Sequence, residues 1–274
     1  MKYCINYTEH RHFKYIKEVD ELEYNYKRED VHLLDFLNNF STKRLIIRLN
    51  EDILEEDVKR FAKIREEFPA VQIAFSLPAF NDYTSRGLFN ELKNMEYEVF
   101  FHSLCNNWET LNAMKDMGVS DIYLVEQMGF EIAAAAAILH PLNINIRTFP
   151  NICQTTVNTG DIDPIRTFFI RPEDVNVYED YIDVLEFFNA EKNIETYYKV
   201  YVKQGYWYGT LDELIINFDK PVDSRALPTV FGSKRVNCGR RCLKGKTCMF
   251  CDRLVELSDT MIAHDMVFSH PKKH

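Results

Sequence analysis

Four of the chain's seven cysteines fall in one stretch, Cys238-Gly-Arg-Arg-Cys242-Leu-Lys-Gly-Lys-Thr-Cys248-Met-Phe-Cys251, with the spacing C-x3-C-x5-C-x2-C. Four thiolates satisfy a tetrahedral Zn²⁺ or the four corners of an iron–sulfur cluster. The closing Cys-x-x-Cys lets one tight turn present two sulfurs to one centre, and Lys244-Gly-Lys246 ahead of it supplies a turn. The spacing leaves zinc and iron–sulfur both open. Four unrelated thiols on a surface loop is the reading without chemistry. Basic residues crowd the same region: Lys234, Arg235, Arg240, Arg241, Lys244, Lys246 and Arg253. Part of that excess offsets the negative charge of a tetrathiolate site. The sharper reading is a local contact for RNA or phosphate on an otherwise acidic protein.

Cys153 stands apart, in Phe149-Pro-Asn-Ile-Cys153-Gln, just after a predicted strand. It is a candidate to complete a cluster with three of the C-terminal cysteines, or else a small buried hydrophobe. Cys4 and Cys105 lie in or beside predicted strands and read as core residues.

Short apolar runs followed by helix-like stretches must position these residues. Predicted strands are Tyr3–Tyr7, Leu45–Leu49, Val71–Leu77, Tyr97–His102, Asp121–Val125, Asn143–Arg147, Thr167–Ile170 and Ile182–Glu186. Predicted helices lie between them. Val19–Asn39 is polar and then amphipathic. Glu51–Phe68 is capped by Asn50 and stopped by Pro69. Tyr83–Met95, Trp108–Met117 ending at Gly118, Phe130–Leu139 ending at Pro141, and a short turn Pro172–Tyr178 follow. Strands separated by helix-length connections argue for parallel βαβ units, and eight of them make a compact TIM-like (β/α)₈ barrel over residues 1–190. An open doubly wound sheet is the alternative, but no Gly-x-Gly-x-x-Gly supports a dinucleotide fold. Beyond residue 190 the rhythm breaks. Tyr197–Tyr208 is aromatic and alternating, Leu211–Phe218 looks helical, and the cysteine stretch follows, so residues 191–274 read as a cysteine-rich appendage.

In such a barrel chemistry sits where strands end and βα loops begin. Polar residues predicted there are Arg48, Asn50, Ser76, His102, Glu126, Gln127, Arg147, Asn151, Arg171 and Glu186. His102, Glu126, Arg147 and Arg171 are the candidate catalytic residues. Guanidinium forks at a barrel mouth suit a carboxylate or phosphate, whose oxygens they bind in pairs. The bland alternative is that Arg48 and Arg147 pair with Glu126 and Glu186, and that His102 is a satisfied core histidine.

With 46% hydrophobic and 14% aromatic residues, the chain has ample material for a packed core. A net charge of −9 excludes a generally basic nucleic-acid binder. No apolar run is long enough to cross a membrane, and Met1–Tyr7 shows no secretory signal, so a reducing cytoplasmic setting is expected. There, clustered cysteines favour a metal over disulfides.

The segment Phe169-Ile-Arg-Pro-Glu-Asp-Val-Asn-Val-Tyr-Glu-Asp-Tyr-Ile-Asp-Val-Leu-Glu-Phe187 resembles part of the collagenase-like peptidase family, in which an Ile-Arg-Pro-Glu-Asp stretch precedes a helix and a strand near the barrel's end. Asn151-Ile-Cys153 resembles that family's Asn-x-x-Cys region, and the late Cys…Cys-x-x-Cys resembles its C-terminal cysteine group. The resemblance covers the second half of the chain. It implies a TIM-like barrel with a cysteine-ligated iron–sulfur cluster, of the four-iron type, and oxygen-independent hydroxylation of tRNA, ribosomal RNA or a quinone precursor. Carried over by motif, Cys153, Cys238, Cys242, Cys248 and Cys251 supply the ligands, and Arg171 lies near the site. Gln154-Thr-Thr stands where the family often has a second cysteine, which marks a diverged member.

The expected function is therefore iron–sulfur-dependent modification of RNA or of a small anionic or aromatic substrate. One alternative is a non-enzymatic barrel scaffold or nucleic-acid-binding protein with structural zinc. The other is an atypical peptidase, which no Ser-His-Asp or His-Glu-x-x-His pattern supports.

Overall fold

The computed structural model describes residues 1–7, 18–28, 32–40, 43–49, 54–75, 87, 90–91, 94, 99–153, 163–188, 193–236, 238–239 and 249–268. Its centre is a curled, mixed α/β assembly, TIM-like in type, whose strands are all parallel. They are β1 (Lys2–Tyr7), β2 (Glu21–Tyr26), β3 (Arg44–Leu49), β4 (Gln72–Phe75), β5 (Val99–Cys105), β6 (Asp121–Leu124), β7 (Asn145–Thr148) and β8 (Val184–Phe187). Each pairs with the next in sequence, and β8 returns to β1 with Cys4 opposite Glu186.

β2 was not among the predicted strands. Its sequence, Glu-Leu-Glu-Tyr-Asn-Tyr, alternates, but with the polar residues turned into the barrel and the apolar ones outward. Leu22, Tyr24 and Tyr26 form the outer core, while Glu21 and Glu23 are buried inside. The outer side is covered by the helix Leu33–Phe40, whose Leu33, Phe36, Leu37 and Phe40 share one buried face. Tyr24 and Phe36 rings lie 4.8 Å apart. Each fully buried side chain of this size is worth roughly 1.5–3 kcal/mol.

Thr167–Ile170, by contrast, is not a strand. Phe168, Phe169 and Ile170 are buried, but the segment runs between 3₁₀ turns at Pro164–Arg166 and Pro172–Asp174. Each turn carries proline in its first position, so an apolar run here marks core-filling loop. The turn Pro172–Tyr178 forms as expected, its second half the helix Val175–Tyr178.

The helix Glu55–Glu67 starts later than the predicted Glu51, and its Leu54 N–H is capped by the Asp57 carboxylate at 2.9 Å. The predicted cap, Asn50, lies outside the described residues, as do Ser76, most of Tyr83–Met95, Arg240, Arg241 and the central cysteines Cys242 and Cys248. Trp108–Asp116 forms a helix capped by the Asn107 side chain, and it ends at Gly118, whose φ of 67° is the left-handed conformation that glycine adopts without strain.

The aromatic stretch after β8 is helical rather than extended. Ile194–Tyr197 runs into a π-helical segment, Tyr198–Gln204, and lays Tyr197 and Tyr201 on Phe187 of β8 at 5.6 and 5.4 Å. The helix Leu211–Leu214 is shorter than the predicted Leu211–Phe218, because Ile216 leaves it to bridge Ile152. The described hydrophobic core runs continuously from Ile5 to Leu254. None of the helices, over the described residues, is long and apolar enough to cross a membrane.

Candidate functional site

The barrel interior is polar in layers. At the end where strands begin, Glu21 and Asp121, the first residues of β2 and β6, receive Arg44 and Arg147. Arg147 donates from Nη2 to Glu21 at 2.6 Å, from Nη1 to Asp121 at 3.1 Å and from Nε to the Tyr123 hydroxyl at 3.0 Å. Arg44 pairs with Glu21 and, at 3.3 Å, with Asp121. Burial opposes the Arg147 charge, but Tyr123, Glu21, Cys4 and Asp121 outweigh it and hold the guanidinium well above its ordinary value. Burial likewise opposes the Asp121 carboxylate, and Arg147 and Arg44 more than compensate, so its pKa lies below the usual carboxylate value. Arg147 therefore sits deep in the barrel, facing the end opposite the loops where barrel chemistry is expected. Glu186 is also interior, accepting from the Tyr123 hydroxyl, with Cys4 nearby.

Nearer the other end, Arg48 donates to Glu23 at 3.1 Å, Asn6 donates to Glu23 at 3.0 Å, and Asn25 donates to Asn6 at 3.1 Å. Asn6, Asn25 and Arg48 come from the C-terminal halves of the first three strands, and Glu23 from the middle of β2. The buried Arg48 Nε has no hydrogen-bond partner among the described residues. His102 lies on β5, and Glu126 opens the helical turn Glu126–Gly129 after β6, as the expected alternation requires.

Arg171 is enclosed away from these groups. It grips Asp174 with Nε at 2.6 Å and Nη2 at 2.9 Å, and donates to the carbonyls of Ser224, Leu227 and Pro228. Its guanidinium lies 4.9 Å from the centre of the Phe231 ring. Asp174 also accepts from the Gly232 N–H, and Glu173 accepts from the Trp207 N–H and the Ser224 hydroxyl. The Ile-Arg-Pro-Glu-Asp segment is thus the fastening for residues 207–232.

The chain leaving β7 carries the cysteine. Asn151 exchanges two hydrogen bonds with the Phe188 backbone, extending the β7–β8 join past the strands. Cys153 follows, its N–H donating to the Ile216 carbonyl at 2.8 Å. It is buried, and that burial pushes its thiol up to about 12 against the effects of Thr167 and Arg235. Arg235, on the helix Phe231–Val236, is ringed by Phe130, Phe169 and Phe231 with centroids at 4.8, 4.7 and 4.6 Å. One donor of Arg235 meets the Ile165 carbonyl at 3.1 Å, while the buried Nε and Nη2 have no partner among the described residues. Burial lowers its pKa, and Tyr178, Cys251 and Cys153 act in the opposite direction. The buried Tyr178 hydroxyl also lacks a partner among the described residues, and Cys238 is among the groups acting on it.

Both ends of the cysteine stretch are fastened at this place. The Cys238 N–H donates to the Arg235 carbonyl, and Gly239, at φ 56°, donates to the Phe130 carbonyl at 2.9 Å. Cys251 opens the helix Phe250–Phe268, which is held by Asp252 to Arg166 at 2.8 Å and by the burial of Leu254. Two buried donors, Arg235 and Tyr178, thus lack partners among the described residues in the region where the cysteine stretch begins, and the Cys238 N–H bonds the Arg235 carbonyl. Among the described residues no three His, Cys, Asp or Glu side chains are gathered tightly enough to cage a metal, and Cys242 and Cys248 lie outside that set. Cys4 and Cys105 are buried, as expected of core residues. Arg235 was legible only as one of several basic residues near the cysteines; its burial depends on rings from Phe130 and Phe169, far off in sequence. No protein-family model matches the chain, and no curated protein matches it.

Proposed function

We propose that the chain is a diverged relative of the collagenase-like peptidase family. In this reading it is a complete (β/α)₈ barrel with a cysteine-rich appendage that holds a four-iron iron–sulfur cluster. It serves oxygen-independent hydroxylation of RNA or of a small anionic or aromatic substrate in the cytoplasm. The observation that supports the reading is the pair of buried donors, Arg235 Nε/Nη2 and the Tyr178 hydroxyl, that lack partners among the described residues, with Arg235 tied by its carbonyl to Cys238, the first residue of the four-cysteine stretch. An unpaired buried guanidinium costs several kcal/mol, and a thiolate-ligated centre is the anion that the local donor set is suited to build. Cys238, Cys242, Cys248 and Cys251 hold it, with Cys153 as the residue that replaces one of them. Such a cluster supplies one-electron chemistry.

The chain's own residues do the rest. Arg48, with Glu23, Asn6 and Asn25, presents a polar interior whose guanidinium suits a carboxylate or phosphate of the substrate. His102 and Glu126 are the candidate catalytic residues at that end. Arg147 and Arg171, with their donors committed to protein acceptors, act as positioning residues.

Anaerobic purification followed by metal, sulfide and visible-absorption analysis tests the reading. Iron with acid-labile sulfide and a brown colour is expected, lost in Cys251→Ser. Retention in Cys153→Ala confines the ligands to residues 238–251, and loss brings Cys153 into the set. Colourless protein with stoichiometric zinc and no iron sinks the reading in favour of a structural zinc knuckle.

A further inference from the structure

The interior face of the curled sheet changes character at the end where its strands finish. On β1, β2 and β3 it ends in Asn6, Asn25 and Arg48, each half-buried and two residues beyond the fully buried Cys4, Glu23 and Ile46. Asn25 stands opposite Arg48 in the β2–β3 register, and Arg48 stands opposite the small Ala74 of β4. On the other side, just past β7 and β8, come Phe149 and Phe188, with ring centres 5.4 Å apart. Phe188 follows Phe187, which pairs with Ile5, so it lies level with Asn6. Cys4, Ile46, Ala74 and Phe149 belong to one packed cluster, and Phe188 packs against it. A polar sector and an aromatic sector therefore share one floor.

Within the polar sector Arg48 is held from one side only. Its Nη1 donates to Glu23 at 3.1 Å, while the buried Nε has no partner among the described residues. Asn6 donates to the same Glu23 oxygen at 3.0 Å and Asn25 donates to Asn6 at 3.1 Å, which fixes both amides beside the guanidinium. Arg171 spends the corresponding Nε side on the two oxygens of Asp174. That side of a guanidinium receives a carboxylate through two parallel bonds, and buried donors are seldom left without an acceptor. We infer that this floor binds a planar aromatic ring carrying one carboxylate, the ring against Phe188 and Phe149 and the carboxylate on the Nε side of Arg48 beside Asn25. The inference deepens the small-substrate arm of the function proposed above and rests on it. Offset or edge-to-face contact with the two phenylalanines suits a flat ring. Glu23 already matches the Arg48 charge, and the chain carries a net charge of −9, so a single carboxylate is favoured over a polyanionic RNA backbone.

The test is calorimetric titration of the full-length chain with benzoate, with its neutral counterpart benzamide and with a short oligouridylate. Benzoate is expected to bind, and benzamide to bind about tenfold more weakly, the effect of one charge-assisted hydrogen bond. Arg48→Lys keeps a positive charge facing Glu23 but has no planar edge, so it should lose about tenfold for benzoate and leave benzamide unchanged. Phe188→Leu should weaken both. No benzoate binding, equal affinities for benzoate and benzamide, or an unchanged benzoate affinity in Arg48→Lys overturns the inference. Oligouridylate binding in the absence of benzoate binding overturns it in favour of RNA. If Arg48→Lys does not fold, the comparison of benzoate with benzamide on the wild type decides. Iron and sulfide are counted on the same preparation. Benzoate binding without iron keeps the floor and removes the iron–sulfur reading, whereas iron without benzoate binding removes the floor alone.

Discussion

Arg147 on β7 reaches across the barrel to Glu21 on β2, a strand it does not pair with, and donates to its carboxylate at 2.6 Å. The bond spans the interior rather than joining neighbours, and Asp121 and Tyr123 on β6 take the remaining donors. Replacing Arg147 by Met leaves two fully buried carboxylates sharing Arg44. Breaking a buried pair from one side costs roughly 3–5 kcal/mol. Urea unfolding of Arg147→Met is therefore expected to show a loss of that size, and a change under 1 kcal/mol would show that the network contributes no more than surface pairs do.

The same network makes stability depend on acid. The folded pKa of Asp121 lies below its ordinary 3.8, so its contribution is present above that value and is lost as pH falls through the folded one. The stability gap between wild type and Asp121→Asn is expected to hold down to about pH 5 and to narrow as the pH falls further into acid. A gap that widens toward acid reverses the sign and rejects the assignment.

Arg171 predicts a failed conservative change. Its planar fork meets Asp174 and three carbonyls at once, a pattern that an ammonium group does not reproduce. Arg171→Lys is expected to lose several kcal/mol of the kind seen on breaking buried pairs. Residues 207–232 should loosen first, as faster amide exchange there than in β1–β3.

Gly129 is constrained by contact alone. A Cβ there would meet the Phe168 ring at 2.4 Å, and Phe168 is wedged between Phe130 and Tyr178. Overpacking of this kind costs about 1–3 kcal/mol. Gly129→Ala should show that loss in thermal or urea unfolding. Gly87, with no atom near its absent Cβ, should tolerate alanine on steric grounds.

Thiol labelling separates core cysteines from the rest. Burial pushes Cys105 up to about 12 and Cys4 well above its usual value. Thiolate is the reactive form, so neither should alkylate in the native protein at neutral pH, and both should react in denaturant. Rapid native labelling of Cys105 would contradict its enclosed position.

The parallel strand rhythm was readable along the chain because each βα unit is local: an apolar run, a turn and an amphipathic helix. β3, β4, β6 and β8 announced themselves as runs of Ile, Leu, Val and Phe. The clustering of Cys238, Cys242, Cys248 and Cys251 is likewise a fact of spacing alone. What the linear chain concealed is which side of a strand faces inward. Glu21, Glu23 and Asn25 fell in a stretch read as polar and then amphipathic, and only the curling of the sheet around Arg44, Arg48 and Arg147 makes their side the interior and Glu21–Tyr26 a strand. Thr167–Ile170 erred in the opposite direction, since burial with a single backbone bond to Pro150, and no strand ladder, leaves the same apolar signature as a strand. The direction of Arg147 into the barrel, the commitment of Arg171 to Asp174, and the open donors of Arg235 all depend on partners distant in sequence. Cysteine spacing is set by local chain geometry, whereas the satisfaction of a buried charge is decided only when the tertiary structure brings its acceptors within reach or leaves them out.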